Sequence, residues 1–102
     1  MKLYTLYCGL FDKETKRQEI STLEAYKITS NIVTELCGGG TIFEAAGVYR
    51  HENGDIVQER TLRIEVCNVD SETIKKLIEI LKMAFNQESI MVTVQELTYE
   101  FV

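Results

Sequence analysis

Glu59-Arg60 in one segment and Gln87-Glu88 in another are the residues whose types could do chemistry together. An arginine fork holds a carboxylate through two parallel bonds. Arg60 is therefore expected to pair with Glu88 or with its neighbour Glu59, while Gln58 and Gln87 complete a hydrogen-bond network around the charges. Such a network either closes a sheet end and fixes strand register, or offers a ligand or partner protein a polar contact through Glu59, Arg60, Gln87 and Glu88.

No residue pattern here marks a catalytic centre. A Glu59–Glu88 couple imitates a general acid and base, but with 16 acidic residues in the chain such pairs arise readily by accident. His51 is the only histidine and falls in a turn signal, which favours a solvent-exposed residue over a general base. Cys8 would need a base beside it to act as a nucleophile. Cys8, Cys37 and Cys67 are widely separated and lack CxxC spacing, so they read as free, mostly buried thiols, and neither a metal site nor a disulfide framework is expected. Gly38-Gly39-Gly40 follows a helix pattern rather than opening one and lacks GxxxxGK[ST] or GxGxxG, so it reads as a helix stop, not a phosphate cradle. No cofactor is expected.

The elements that must position these residues follow from hydrophobic spacing. Leu3 to Cys8 is a first strand ended by Gly9, and both of its faces are apolar enough for a central place. Asp12 to Glu19 (DKETKRQE) has no periodicity and reads as a solvated loop. Ser21 with Glu24 forms a capping box, and Ala25, Ile28, Ile32 and Leu36 recur at helical spacing. Thr41 to Arg50 is a second strand with a bend or bulge at Gly47, His51 to Gly54 closes a hairpin on a type I′ Asn-Gly turn, and Ile56 to Cys67 returns with Leu62, Ile64 and Val66 on one face.

Asp70 or Ser71 caps a second helix carrying Ile74, Leu77, Ile78, Leu81 and Phe85 and ending at Asn86. Ser89 to Phe101 is a last strand whose apolar parity changes after Val94, which predicts a bulge near Gln95-Glu96. The order βαββαβ is the ferredoxin-like split arrangement of the α+β class: a four-stranded antiparallel sheet in order 4-1-3-2 with two helices on one face, in one domain over residues 1–102. That topology brings Tyr7-Cys8-Gly9, Gln58-Glu59-Arg60 and Gln87-Glu88-Ser89 to one end of the sheet, where the capped start of the first helix and the DKETKRQE loop arrive as well.

Composition bounds the functional classes. Hydrophobic residues at 45% and charged residues at 26% describe an ordinary folded chain. No apolar run approaches a membrane span, and MKLYTLYCGLF lacks the features of a secretory leader, so a cytoplasmic location is expected. A net charge of −5 argues against broad nucleic-acid binding and suits a basic protein surface as partner. After Lys82 there is no Lys or Arg, whereas Glu88, Glu96 and Glu100 lie on the last segment. Base-stacking RNA readout is not expected either, because Tyr4 and Tyr7 would face a third strand of Glu59, Thr61, Arg63 and Glu65.

The segments GVYRHENGDIVQERTLRIEV and LKMAFNQESIMVTVQELTYEF resemble a family of small bacterial and phage-associated α+β proteins of unknown function, through Gly47, Tyr49, Gly54, Ile56, Glu59 and Thr61, then Phe85, Gln87, Glu88 and Ser89. The resemblance brings no activity with it. In general type, a compact acidic chain without catalytic motifs, the sequence is also similar to the anti-CRISPR proteins of phages and mobile elements.

That second resemblance implies a non-enzymatic inhibitor whose Glu59, Glu88, Glu96 and Glu100 face the Lys and Arg of a CRISPR nuclease, with binding that weakens in salt. The alternative is a cytosolic small-ligand-binding or accessory domain with its polar site at the sheet end around Arg60 and Glu88. An edge strand and an open sheet face, with Tyr49, Leu97, Tyr99 and Phe101 more apolar than solvation requires, permit a homodimer.

Overall fold

Alternating apolar side chains on two strands and apolar stripes on two helices dictate one core. In a computed structural model describing residues 1–102, β1 (Lys2–Gly9), α1 (Thr22–Cys37), β2 (Thr41–Arg50), β3 (Ile56–Cys67), α2 (Ser71–Ala84) and β4 (Met91–Glu96) follow in the expected order. They form a four-stranded antiparallel sheet in order β2-β3-β1-β4, the α+β ferredoxin-like arrangement.

The register sets the two faces. Tyr4↔Val66, Leu6↔Ile64 and Cys8↔Leu62 pair across β1 and β3, and all six side chains are buried beneath Ala25 and Val33 of α1 and Ile74, Leu77 and Leu81 of α2. Each large apolar group contributes about 1.5–3 kcal/mol on burial, before the cost of ordering it. The odd-numbered residues of the strands form the opposite, open face.

The helices begin where their caps predict. Ser21 Oγ accepts from the Glu24 amide at 3.1 Å, and Asp70 Oδ1 accepts from the Thr73 amide at 2.8 Å. The Glu24 side chain does not complete a reciprocal box and instead lies 3.8 Å from Lys27. Gly38, at φ +80, ends α1 with its amide on Thr34 O. At the other helix, α2 stops at Ala84 with Phe85 as its cap, just short of the expected Asn86.

Several local expectations are corrected. Pairing runs unbroken through Gly47↔Glu59, so Gly47 is not a bulge. A Cβ there would come within 3.1 Å of Thr61 Oγ1, which makes close packing the reason for glycine. The hairpin turn is not type I′, because Gly54 alone has positive φ (+92). Asn53 instead turns its side chain onto the Asp55 amide at 3.0 Å, which leaves a loop from His51 to Asp55.

β4 ends at Glu96 rather than passing through a bulge to Phe101. The Leu97 amide bonds to Met1 O at 2.8 Å, the chain leaves the sheet, and Tyr99 and Phe101 meet edge to face with ring centroids 5.8 Å apart. No helix is long and apolar enough to cross a membrane.

Candidate functional site

Where β2 and β3 run beyond the helices, the open face dips. Ala45 and Gly47 on β2, Thr61 on β3 and Gly9 on β1 are cross-strand neighbours with little or no side chain, and they floor a cleft of about 570 Å³. Tyr7 bounds it on one side, Tyr49 and His51 on the other, with ring centroids of the latter pair 5.5 Å apart. Phe11, Asp12, Lys13 and Lys16 wall it from the β1–α1 loop, and Gln87, Glu88 and Ser89 close it from the segment before β4.

Tyr7 is held by its neighbours. Phe43, Arg63 and Tyr7 stand side by side across β2, β3 and β1, and the Arg63 guanidinium lies 5.1 Å from the Phe43 ring centre and 5.9 Å from that of Tyr7. Its Nη2 reaches Glu65 Oε2 at 3.1 Å, while its buried Nε has no hydrogen-bond partner. Its charge faces both rings while the side chain stays 39% exposed.

Glu59 is the half-buried charge of the cleft. Its Oε2 accepts from the Phe11 amide at 3.0 Å, and its Oε1 lies against Gly9, where a Cβ would stand only 2.7 Å away. Oε1 makes no hydrogen bond or ion pair with the protein and lines the cleft. Gln87 holds the other side of the same residue, donating from Nε2 to Phe11 O at 2.6 Å and to Phe85 O at 3.2 Å. Glu59 and Gln87 therefore grip Phe11 by its amide and its carbonyl.

The DKETKRQE loop is ordered by its own acid. Asp12 Oδ1 takes the amides of Glu14 at 2.8 Å and Thr15 at 3.0 Å, and Oδ2 takes the Asn86 side chain at 3.0 Å. These bonds, the Thr15 amide first, hold the Asp12 carboxyl below its usual range. Lys16 sits at φ +62, a conformation that costs a side-chain-bearing residue about 1–2 kcal/mol, and its amide bonds to Asp12 O at 2.8 Å.

The expected site residues divide. Glu59, Gln87 and Glu88 meet at the cleft, but Arg60 does not join them. Arg60 shares the parity of Leu62, Ile64 and Val66, is exposed, and forms no ion pair with Glu88, Glu59 or any other carboxylate. Only its carbonyl takes part, accepting from the Leu10 amide at 3.0 Å.

Glu96 lies at the far end of β4, opposite Lys2, with its carboxylate 3.0 Å from the N-terminal ammonium. Glu100 lies beyond it, so the acidic residues do not make one face. Tyr7 and Gly9 of β1 and Asp12, Lys13 and Lys16 of the DKETKRQE loop, both segments expected at this end of the sheet, join the cleft. The small-residue run Ala45-Ala46-Gly47 inside a strand is the signal that marks the floor.

Among the groups near the cleft, Cys8 is not a nucleophile. Cys8 is fully buried on the helix side, and burial, aided by the Glu59 charge, pushes its thiol up to about 12, so no thiolate is available near neutral pH. Flat walls, a free carboxylate oxygen and two loop lysines remain.

The chain belongs to the family described as Protein of unknown function (DUF3574), which it matches over residues 4–101. Among curated proteins none matches the sequence. A phage SAM lyase in complex with S-methyl-5′-thioadenosine has a similar structure, with TM-score 0.69 at 21% identity, covering 93% of this chain and 80% of the lyase. So does the divalent cation tolerance protein Cut A1 of Thermus thermophilus, with TM-score 0.64 at 15% identity over 99% of this chain and 88% of that one. CutA of Synechococcus elongatus PCC7942 complexed with a Bis-Tris molecule gives 0.58 at 16%, over 92% and 78%. Likeness at these identities establishes the shared fold.

Proposed function

We propose that the cleft binds a small cationic nucleoside of the S-adenosylmethionine class. The observation that carries this reading is the unpartnered Oε1 of half-buried Glu59, set over a floor of Gly9, Ala45, Gly47 and Thr61 between Tyr7 and Tyr49. A floor of small residues accepts a planar ring, and the tyrosines offer it edges or faces. A sulfonium carries a fixed charge and donates no hydrogen bond, so it is held by a nearby carboxylate and by aromatic rings, for which Glu59 and Glu88 supply the negative charge. The phage SAM lyase, similar in fold, binds S-methyl-5′-thioadenosine, which supports the choice of class.

Calorimetric titration with S-adenosylmethionine and S-methyl-5′-thioadenosine tests the reading, with chromatography of the same mixture to register any conversion of the first into the second. Saturable heat with both is expected. Absence of binding by either overturns it.

The inhibitor reading asks for one acidic face, and the separation of Glu59 and Glu88 from Glu96 and Glu100 is why the cleft is preferred to a basic CRISPR nuclease as partner. Pairing of two copies is favoured by the unpaired β4 edge, where Met91, Val92 and Val94 stand 59, 39 and 54% exposed, and light scattering reads it directly.

A further inference from the structure

We infer that Lys13 and Lys16 form a carboxylate-binding subsite of the cleft, so that its preferred ligand carries an anionic end as well as a cation. The inference rests on the nucleoside reading above and specifies which member of that class fits. The lining is charged with both signs, Glu59 and Glu88 from the sheet end against Lys13 and Lys16 from the loop. Three helix lysines, Lys27, Lys75 and Lys82, each sit within 4.0 Å of a glutamate one turn away. Lys2, Lys13, Lys16 and Lys76 have no such partner, and of these four only Lys13 and Lys16 line the cleft.

Glu14, between them in sequence, accepts from the Asn86 side chain through Oε1 at 3.3 Å, and Asp12 accepts the Glu14 and Thr15 amides and the same Asn86 side chain while also feeling the Lys13 charge. The backbone beneath both lysines is nevertheless fixed. The Lys13 amide bonds to Asn86 O at 3.0 Å, and Lys16 is held at φ +62, where glycine would sit without strain. A loop with a fixed backbone and two lysines that line the cleft without a salt bridge is suited to an anion, because ligand binding then orders only side chains. A ligand bearing a carboxylate next to its cation, the α-amino acid end of S-adenosylmethionine, satisfies both walls at once.

The test compares wild type with the K13Q/K16Q double variant against three probes: S-adenosylmethionine, its decarboxylated form, and S-methyl-5′-thioadenosine. Both lysines are exposed, so the variant keeps the fold, and circular dichroism verifies this. Wild type is expected to bind S-adenosylmethionine about tenfold or more tightly than the decarboxylated form, a preference that shrinks as salt is raised. In the double variant that preference is expected to vanish, with affinity for the neutral S-methyl-5′-thioadenosine unchanged. Loss of affinity for all three probes alike, or an unchanged preference, overturns the subsite while leaving the nucleoside reading intact. Failure of wild type to bind any probe overturns both.

Discussion

The carboxylate of Glu59 accepts the Phe11 amide at 3.0 Å, and this bond joins the extended part of β3 to the loop that walls the cleft. The two residues lie 48 positions apart in sequence, so the contact is purely tertiary. It uses one oxygen of Glu59 for architecture and leaves the other for a ligand. Each role can be removed separately.

Glu59→Gln keeps an acceptor for Phe11 but removes the charge, and is expected to leave stability within about 0.5 kcal/mol while weakening S-adenosylmethionine about tenfold. Glu59→Ala strips the partner from a partly buried amide and is expected to cost about 1–3 kcal/mol as well. Denaturant melts alongside calorimetry separate the two, and equal stability losses in both variants would contradict the division of labour.

Gly9→Ala places a Cβ 2.7 Å from Glu59 Oε1, so the carboxylate must swing off Phe11. Hydrogen exchange at the Phe11 amide is expected to accelerate, and ligand affinity to fall in parallel. Unchanged exchange at Phe11 would show that the side chain is not seated as described.

Acid should loosen the two loops that carboxylates organise. Asp12 and Asp70 are both held below their ordinary value of 3.8, chiefly by backbone amides of Thr15 and Thr73. Because the folded-state values are depressed, their stabilisation is complete above the unfolded value and is lost as pH falls through the folded one. The melting temperature is therefore expected to be level with respect to these groups down to about pH 5 and to drop below about pH 4. In the D12N/D70N variant, which keeps acceptors that do not titrate, the acid drop should be shallower.

Cys8 should resist alkylation at pH 7 until the chain unfolds, since it is 0% exposed and its thiol is pushed up to about 12. Cys37, half-buried and raised only by partial burial, should react in the native state. Mass mapping after iodoacetamide treatment checks the order, and early labelling of Cys8 would contradict the packing of β1 beneath α2.

The strands and helices are legible in the sequence because apolar residues on β1, β3, α1 and α2 keep their periods, which set the faces of the sheet, while its strand order follows from the βαββαβ succession and the handedness of its crossovers. The position of Glu59, Gln87 and Glu88 at one sheet end follows from that order. Arg60 departs from expectation although its signal is present. Strand alternation puts it on the side of Leu62 and Ile64, away from Glu59, and matching of charges along the sequence does not override the period of two.

That the DKETKRQE loop reaches this sheet end is legible from the topology, but its conformation is not. DKETKRQE has no periodicity, and its order comes from Asp12 bonding to Asn86, 74 residues away. The end of β4 is hidden for a similar reason, since a bond from Leu97 to the first residue of the chain draws the segment off the sheet.

The most direct test of the cleft is amide chemical-shift mapping by NMR while S-methyl-5′-thioadenosine is added. The largest shifts are expected at Tyr7, Gly9, Glu59 and Thr61 in the sheet and at Phe11 and Gln87 around them. Shifts gathered instead at Leu3, Cys67 and Phe101, which border the cavity at the other end of the molecule, would contradict a ligand site built on Glu59.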